Sequence, residues 1–116
     1  KRNHPIHVHG FSPSEVDFWA TLYRMDARTI IQELVKAGLD SIPGGGGEIL
    51  VQRVRDNVAK KKAGADRWLE VMEIAHQEGL KTSCTMMYGI GETKAERVEH
   101  LLRLKDVQKR TNGFTA

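Results

Sequence analysis

Gly38-Leu39-Asp40-Ser41-Ile42-Pro43-Gly44-Gly45-Gly46-Gly47-Glu48 is the stretch on which the fold turns. Gly38 marks a helix stop, and Leu39 to Ile42 forms a short strand that Pro43 and the glycine run then end. Upstream, Ile30, Ile31, Leu34 and Val35 recur at helical spacing behind Asp26, a capping residue. Downstream, Ile49, Leu50, Val51, Val54 and Val58 predict another helix. Helix, strand, glycine loop and helix in that order describe a βα unit of a parallel sheet.

The same alternation continues on both sides. Ile6 to Phe11 reads as an extended run, with Ile6, Val8 and Gly10 on one face and His7, His9 and Phe11 on the other. Ser12-Pro13-Ser14-Glu15 opens a helix with a capping box and a first-turn proline; the helix carries Val16, Phe18, Trp19 and Leu22. Beyond the glycines, Asp66 is expected to cap a helix that buries Trp68, Leu69, Val71, Met72 and Ala75. Lys81 to Met87 reads as a strand with Tyr88-Gly89-Ile90-Gly91 at its exit. Thr93 to Glu96 is a second capping box, opening a long helix through Val98, Leu101, Leu102, Leu104 and Val107. Phe114 begins another strand.

Strand starts therefore recur every 33 to 42 residues or so, close to the repeat of a (β/α)₈ barrel of about 250 residues. The predicted fold class is α/β: a partial (β/α) barrel of about three and a half βα units with parallel strands. A flavodoxin-like open sheet competes, although it is usually complete near this length. The chain opens at Lys1 without Met and closes on a strand onset, so residues 1–116 are expected to be one segment of a longer chain.

Composition narrows the function. The 116 residues are 40% hydrophobic and 28% charged, which fits a folded globular chain. No apolar run reaches the roughly 18 residues of a membrane span. One cysteine excludes an internal disulfide framework and a cysteine-only metal site. A net charge of +3, spread along the chain, argues weakly for nucleic acid. The expectation is a cytoplasmic protein with neither nucleic-acid nor membrane partners.

The unusual residues cluster where strands pass into helices, the edge at which ligands bind in parallel α/β folds. The glycine run lets a ligand approach backbone groups closely, and no Lys-Ser/Thr follows to make a phosphate loop. Glu48, directly after it, suits a ribose diol; the plainer reading is a favourable charge at a helix N-terminus. His7 and His9 share a strand face, but no further ligand stands at metal spacing, so no metal site is expected. His76 and His100 read as helix surface or boundary residues, Cys84 as a buried small side chain, and Lys60 to Lys62 as a solvated loop. Trp19 and Trp68 are expected to seal their helices against the sheet.

The segment from Gly38 to Leu50 with Val54-Arg55 closely resembles the radical S-adenosylmethionine enzymes of the futalosine menaquinone pathway. So do Thr85-Met86-Met87-Tyr88-Gly89, Glu92-Thr93, Arg97 to Leu104 and Gly113-Phe114-Thr115-Ala116. The wording is most similar to cyclic dehypoxanthinyl futalosine synthases; aminofutalosine synthases and the deazaflavin-forming synthase subunits are near relatives. The resemblance implies a (β/α) barrel in which this chain runs from the third strand to the start of the sixth. It implies S-adenosylmethionine and a 4Fe–4S cluster as cofactors, with the cluster's Cys-x3-Cys-x2-Cys outside this segment, so the segment alone is expected to be inactive. In the whole enzyme a deoxyadenosyl radical would take hydrogen from dehypoxanthine futalosine, which then cyclises, and flavodoxin or ferredoxin would be the reductant.

By the same resemblance Glu48 binds the ribose hydroxyls of S-adenosylmethionine and Arg55 reaches its carboxylate. Met87, Tyr88, Gly89 and Glu92 fall on a motif whose backbone meets the adenine edge. Gly89 and Glu92 retain that motif, whereas Thr85 and Met87 replace its first Gly and its Ile. His7, His9, Ser12 and Ser41 are implied to line the substrate side. Gly47, where Ala is usual, and Lys109 to Asn112 depart from the subfamily wording. A cluster-less α/β nucleotide-binding module would keep the same loops.

Overall fold

A computed structural model describes residues 4–116. Its order is α1 (Pro13–Tyr23), α2 (Ala27–Lys36), β1 (Ser41–Ile42), α3 (Gln52–Val58), α4 (Ala65–Gln77), β2 (Lys81–Thr82) and α5 (Lys94–Thr111). The capping signals work as the sequence predicts at three helices. Glu15 accepts from the Ser12 N–H at 2.8 Å, Asp26 Oδ1 from the Thr29 N–H at 2.7 Å, and Thr93 Oγ1 from the Glu96 N–H at 3.2 Å.

β1 and β2 pair in parallel, with Ser41 opposite Lys81 and Ile42 opposite Thr82. His9 adds a parallel bridge to Ser41 on one side, and Phe114 adds one to Thr82 on the other. Four passages of chain therefore lie side by side in chain order. A barrel winds its strands in this way, whereas a flavodoxin-like sheet reverses direction about its first strand. Val16, Ile31, Ile42, Leu50, Trp68, Val71, Met72 and Leu104 form a single core between helices and sheet. Among the described residues, no helix is long and apolar enough to cross a membrane.

The strands are shorter than their hydrophobic runs suggest. The Ile6–Phe11 run contributes one bridge, held by Val8 O accepting from Asp40 and Ser41 and by Gly10 N donating to Ser41 O. Phe11 does not share a face with His7 and His9: its φ of 64° breaks the alternation and its ring packs 5.0 Å from Trp19. The Lys81–Met87 run pairs through Cys84, whose N–H donates to Ala116 O, and then leaves the sheet.

Four helix readings also shift. Ile49 to Val51 precede α3 in non-helical conformation, because Ile49 and Leu50 are drawn down to full burial beneath the glycine loop. Gly64 caps α4, and Asp66 sits in its first turn, paired with Arg103. On α5 the buried stripe is His100, Leu104 and Val107, leaving Val98, Leu101 and Leu102 about half exposed; on α1, Phe18 and Leu22 point outward.

Candidate functional site

Two loops at the carboxyl edge of the sheet, residues 43–48 and 85–92, are bonded to each other. Gly44 N–H donates to Ser83 Oγ at 2.9 Å, Thr85 Oγ1 donates to Gly44 O at 2.7 Å, and Met87 N–H donates to Glu48 O at 2.9 Å. Close approach at Gly44 is obligatory, since a Cβ there would lie 2.6 Å from Cys84 Cα. Trp68 supports the loop from below through Nε1 and Gly45 O at 3.2 Å. Between the two loops opens a cavity of about 280 Å³, lined by Gly45, Gly46, Glu48, Thr85, Met86 and Met87.

Glu48 is held at this cavity with a φ of 35°, a left-handed conformation uncommon for a non-glycine residue. It is not a helix N-terminal charge, because α3 begins only at Gln52. Lys62 donates to Oε1, and Arg55 Nη1 lies 3.7 Å from Oε2. Oε2 is buried and accepts no hydrogen bond. Such an atom is an open acceptor, since carboxylate oxygens inside a protein are nearly always bonded. Lys62 is thus part of the site, where the sequence read only a solvated basic loop.

Arg55 is fully buried behind the glycine loop. Its Nη1 donates to Gly47 O at 2.7 Å, Nη2 to Gly46 O at 2.9 Å, and Nε to Ala63 O at 3.0 Å; Nη2 also meets Ala63 O. Burial disfavours its charge and the Glu48 carboxylate partly offsets that cost. Four of its five N–H donors are taken by carbonyls of its own chain, so this guanidinium shapes the loop.

Glu92 is likewise committed. Its carboxylate accepts from the N–H groups of Gly89 and Ile90, each at 2.8 Å, and pairs with Arg97 Nε at 2.6 Å. Those backbone bonds, first Gly89 and then Ile90, hold its pKa down at about 2. Tyr88 is largely exposed, with the Arg97 guanidinium 5.3 Å from its ring centre. The cavity therefore takes Glu48 and Met87 from the sequence-predicted set, with Tyr88 and Gly89 beside it and Arg55 and Glu92 behind its walls.

A second cluster lies on the sheet. Ser41 Oγ is 2.7 Å from His7 Nε2 and 2.6 Å from His9 Nδ1, so one hydroxyl joins two imidazoles. Ser12 stands apart from it, its hydroxyl donating to Glu15 at 2.7 Å. Among the described residues no group of three or more His, Cys, Asp or Glu could hold a metal ion.

Of the histidines within helices, His76 lies at a half-buried boundary as expected, whereas His100 is in the core. His76 bridges Thr111 and Thr82, each at 2.7 Å, and meets Phe114 edge-on at 4.8 Å; burial, then Lys81, lowers its pKa to about 4. His100 is fully buried, and its Nδ1 accepts from the Leu50 N–H at 2.9 Å. Its spacing with Leu104 and Val107 is the signal that could have revealed it. Cys84 is partly buried, its thiol pKa raised by burial.

The profile of the Radical SAM superfamily matches residues 10–104. The chain is 45% identical over 109 residues to cyclic dehypoxanthine futalosine synthase of Streptomyces coelicolor, covering 94% of this chain and 27% of that protein. It is 44% identical over 110 residues to 5-amino-6-(D-ribitylamino)uracil–L-tyrosine 4-hydroxyphenyl transferase of Methanopyrus kandleri, covering 95% and 30%. Aminodeoxyfutalosine synthase of Thermus thermophilus is 40% identical over 115 residues, covering 98% and 31%. The chain thus spans less than a third of the length of these curated relatives.

Proposed function

The chain belongs to the radical SAM superfamily, and from that premise we propose that it forms the S-adenosylmethionine wall and part of the substrate wall of a cytoplasmic radical enzyme. Its place would be the centre of the barrel, from the third strand to the start of the sixth. The observation that carries this reading is Glu48, which lines a cavity of about 280 Å³ and whose buried Oε2 accepts no hydrogen bond. A ribose hydroxyl donates to such an oxygen, while Met86 and Met87 offer polarisable apolar surface to a base. The backbone of Tyr88 and the carbonyl of Gly89 are the partners offered to its edge, the Gly89 N–H being held by Glu92. Arg55 and Glu92 act at one remove: Arg55 holds the carbonyls of the first loop and Glu92 the N–H groups of the second.

S-adenosylmethionine with a reduced 4Fe–4S cluster supplies one-electron hydrogen-abstraction chemistry. Cluster ligands would come from outside this chain, which has one cysteine, and electrons from a flavodoxin- or ferredoxin-type donor. This chain's residues bind the nucleoside, orient it and exclude water. His7, His9 and Ser41 face the substrate as a bonded group able both to donate and to accept, with Ser12 at the entrance.

The substrate we propose is dehypoxanthine futalosine, cyclised in menaquinone biosynthesis, in line with the 45% identical Streptomyces synthase. The 44% identical Methanopyrus transferase supports a second reading, transfer of a 4-hydroxyphenyl group from L-tyrosine to 5-amino-6-(D-ribitylamino)uracil. Supplying the complete protein with each substrate set in turn, and identifying the product by mass, separates the two. For the cofactor wall, Glu48→Gln in the complete protein is expected to weaken S-adenosylmethionine binding by about 1–3 kcal/mol, the scale of a hydrogen bond to a charged group. An unchanged dissociation constant removes Glu48 from the site.

A further inference from the structure

We propose that His100 is a positioning residue for the nucleoside cavity: a single neutral imidazole on α5 that sets the two cavity loops against each other. The inference rests on the cofactor reading of that cavity. His100 is fully buried, and its Nδ1 accepts from the N–H of Leu50, two residues beyond Glu48. A nitrogen that accepts carries no proton, so the proton of the neutral ring is on Nε2. Nε2 is buried without a hydrogen-bond partner, and the backbone of Thr85 acts on the ring. Thr85 in turn lines the cavity and donates its hydroxyl to Gly44 O.

One ring thus lies between the chain that leaves Glu48 and the start of the opposite loop. Its acceptor side fixes Leu50, and with it the approach to the left-handed Glu48. Its other side meets the backbone of Thr85. Unsatisfied buried donors are rare in folded proteins, and the backbone of Thr85 is the acceptor available to this one. Burial keeps the ring neutral, and two cations that face it add to this, Arg55 from α3 and Arg103 from its own helix. Protonated, Nδ1 would present an N–H to the Leu50 N–H and lose the bond.

The test is calorimetric titration of the complete protein with S-adenosylmethionine, with thermal unfolding of each variant measured in parallel. His100→Phe keeps a planar ring and removes both nitrogens; it is expected to bind about tenfold more weakly. His100→Asn places an amide oxygen near the Nδ1 position and is expected to recover most of that loss. A folded His100→Phe with wild-type affinity overturns the proposal, as does a His100→Asn no better than His100→Phe. If His100→Phe does not fold, His100→Gln, whose amide sits near the Nε2 position, takes its place. It is expected to bind more weakly than His100→Asn, and equal, wild-type affinity in both overturns the inference. Glu48→Gln run alongside separates the two layers. Weakened Glu48→Gln with normal His100 variants leaves the cavity reading standing and removes only His100, whereas unaffected Glu48→Gln removes the cavity reading and this inference with it.

Discussion

Glu48 and Glu92 are the same residue on the same edge of the same sheet, each closing a glycine-containing loop, yet they are in opposite states. Glu92 has its capacity filled by two backbone N–H groups and Arg97. Glu48, which lines the cavity, is flanked by Lys62 and Arg55 but keeps one buried oxygen without a hydrogen bond. A carboxylate on a ligand edge is therefore informative only once its remaining hydrogen-bond capacity is known. The first loop is pinned from behind by Arg55, which leaves one Glu48 oxygen without a hydrogen bond. The second is pinned by its own carboxylate, which leaves nothing over.

Breaking the first arrangement is expected to have the largest effect. Arg55→Leu leaves the carbonyls of Gly46, Gly47 and Ala63 and the Glu48 charge without their buried donor. A loss of about 3–5 kcal/mol in denaturant unfolding is expected, the cost of removing one partner of a buried charge. An unchanged midpoint would mean that the loop holds its shape unaided. Next comes Gly44→Ala, whose new Cβ meets the backbone of Cys84 at 2.6 Å; overpacking of this kind costs about 1–3 kcal/mol. In the second loop, Gly89 has open space around a Cβ but a φ of 80°. Gly89→Ala is accordingly expected to cost only about 1 kcal/mol, through backbone strain. Equal effects of the two glycine substitutions would erase the distinction between a loop limited by contact and one limited by conformation.

Acid titration sharpens the contrast further. The Glu92 pKa is depressed from 4.5 to about 2 by its backbone bonds, so its contribution to stability is complete above about 4.5 and lost as pH falls toward 2. Glu92→Gln should remove that limb of the stability profile. His76 adds an earlier limb with the same sign: its pKa falls from 6.5 to about 4, so its contribution is complete above 6.5 and disappears toward pH 4. A stability profile flat from pH 7 to pH 4 would contradict the burial of His76.

Much of the frame was legible in the sequence because its signals are local. Glu15, Asp26 and Thr93 tie off helix starts with side chains that reach only three residues, and the βα alternation follows from periodicity. Strand ends were less legible, since pairing with a neighbour, not apolar content, decides where a strand stops. Of the predicted site residues, Glu48 and Met87 line the cavity, whereas Arg55 and Glu92 turn inward. Charge alone could not distinguish a guanidinium directed at a ligand from one directed at three carbonyls of its own loop.

Helix α5 shows where the division falls. Its sequence holds two candidate inward stripes, one through Val98, Leu101 and Leu102 and one through His100, Leu104 and Val107, and the first is the more apolar. By itself the sequence determined that a long helix opens at the Thr93 capping box and runs through Val107. Only the tertiary structure decided that the second stripe turns inward. His100 finds the Leu50 N–H there, and Thr111 on the same stripe finds His76. Capping and periodicity act through bonds within a few residues of chain, whereas the state of Glu48, Arg55 and His100 is set by partners that only packing brings within reach.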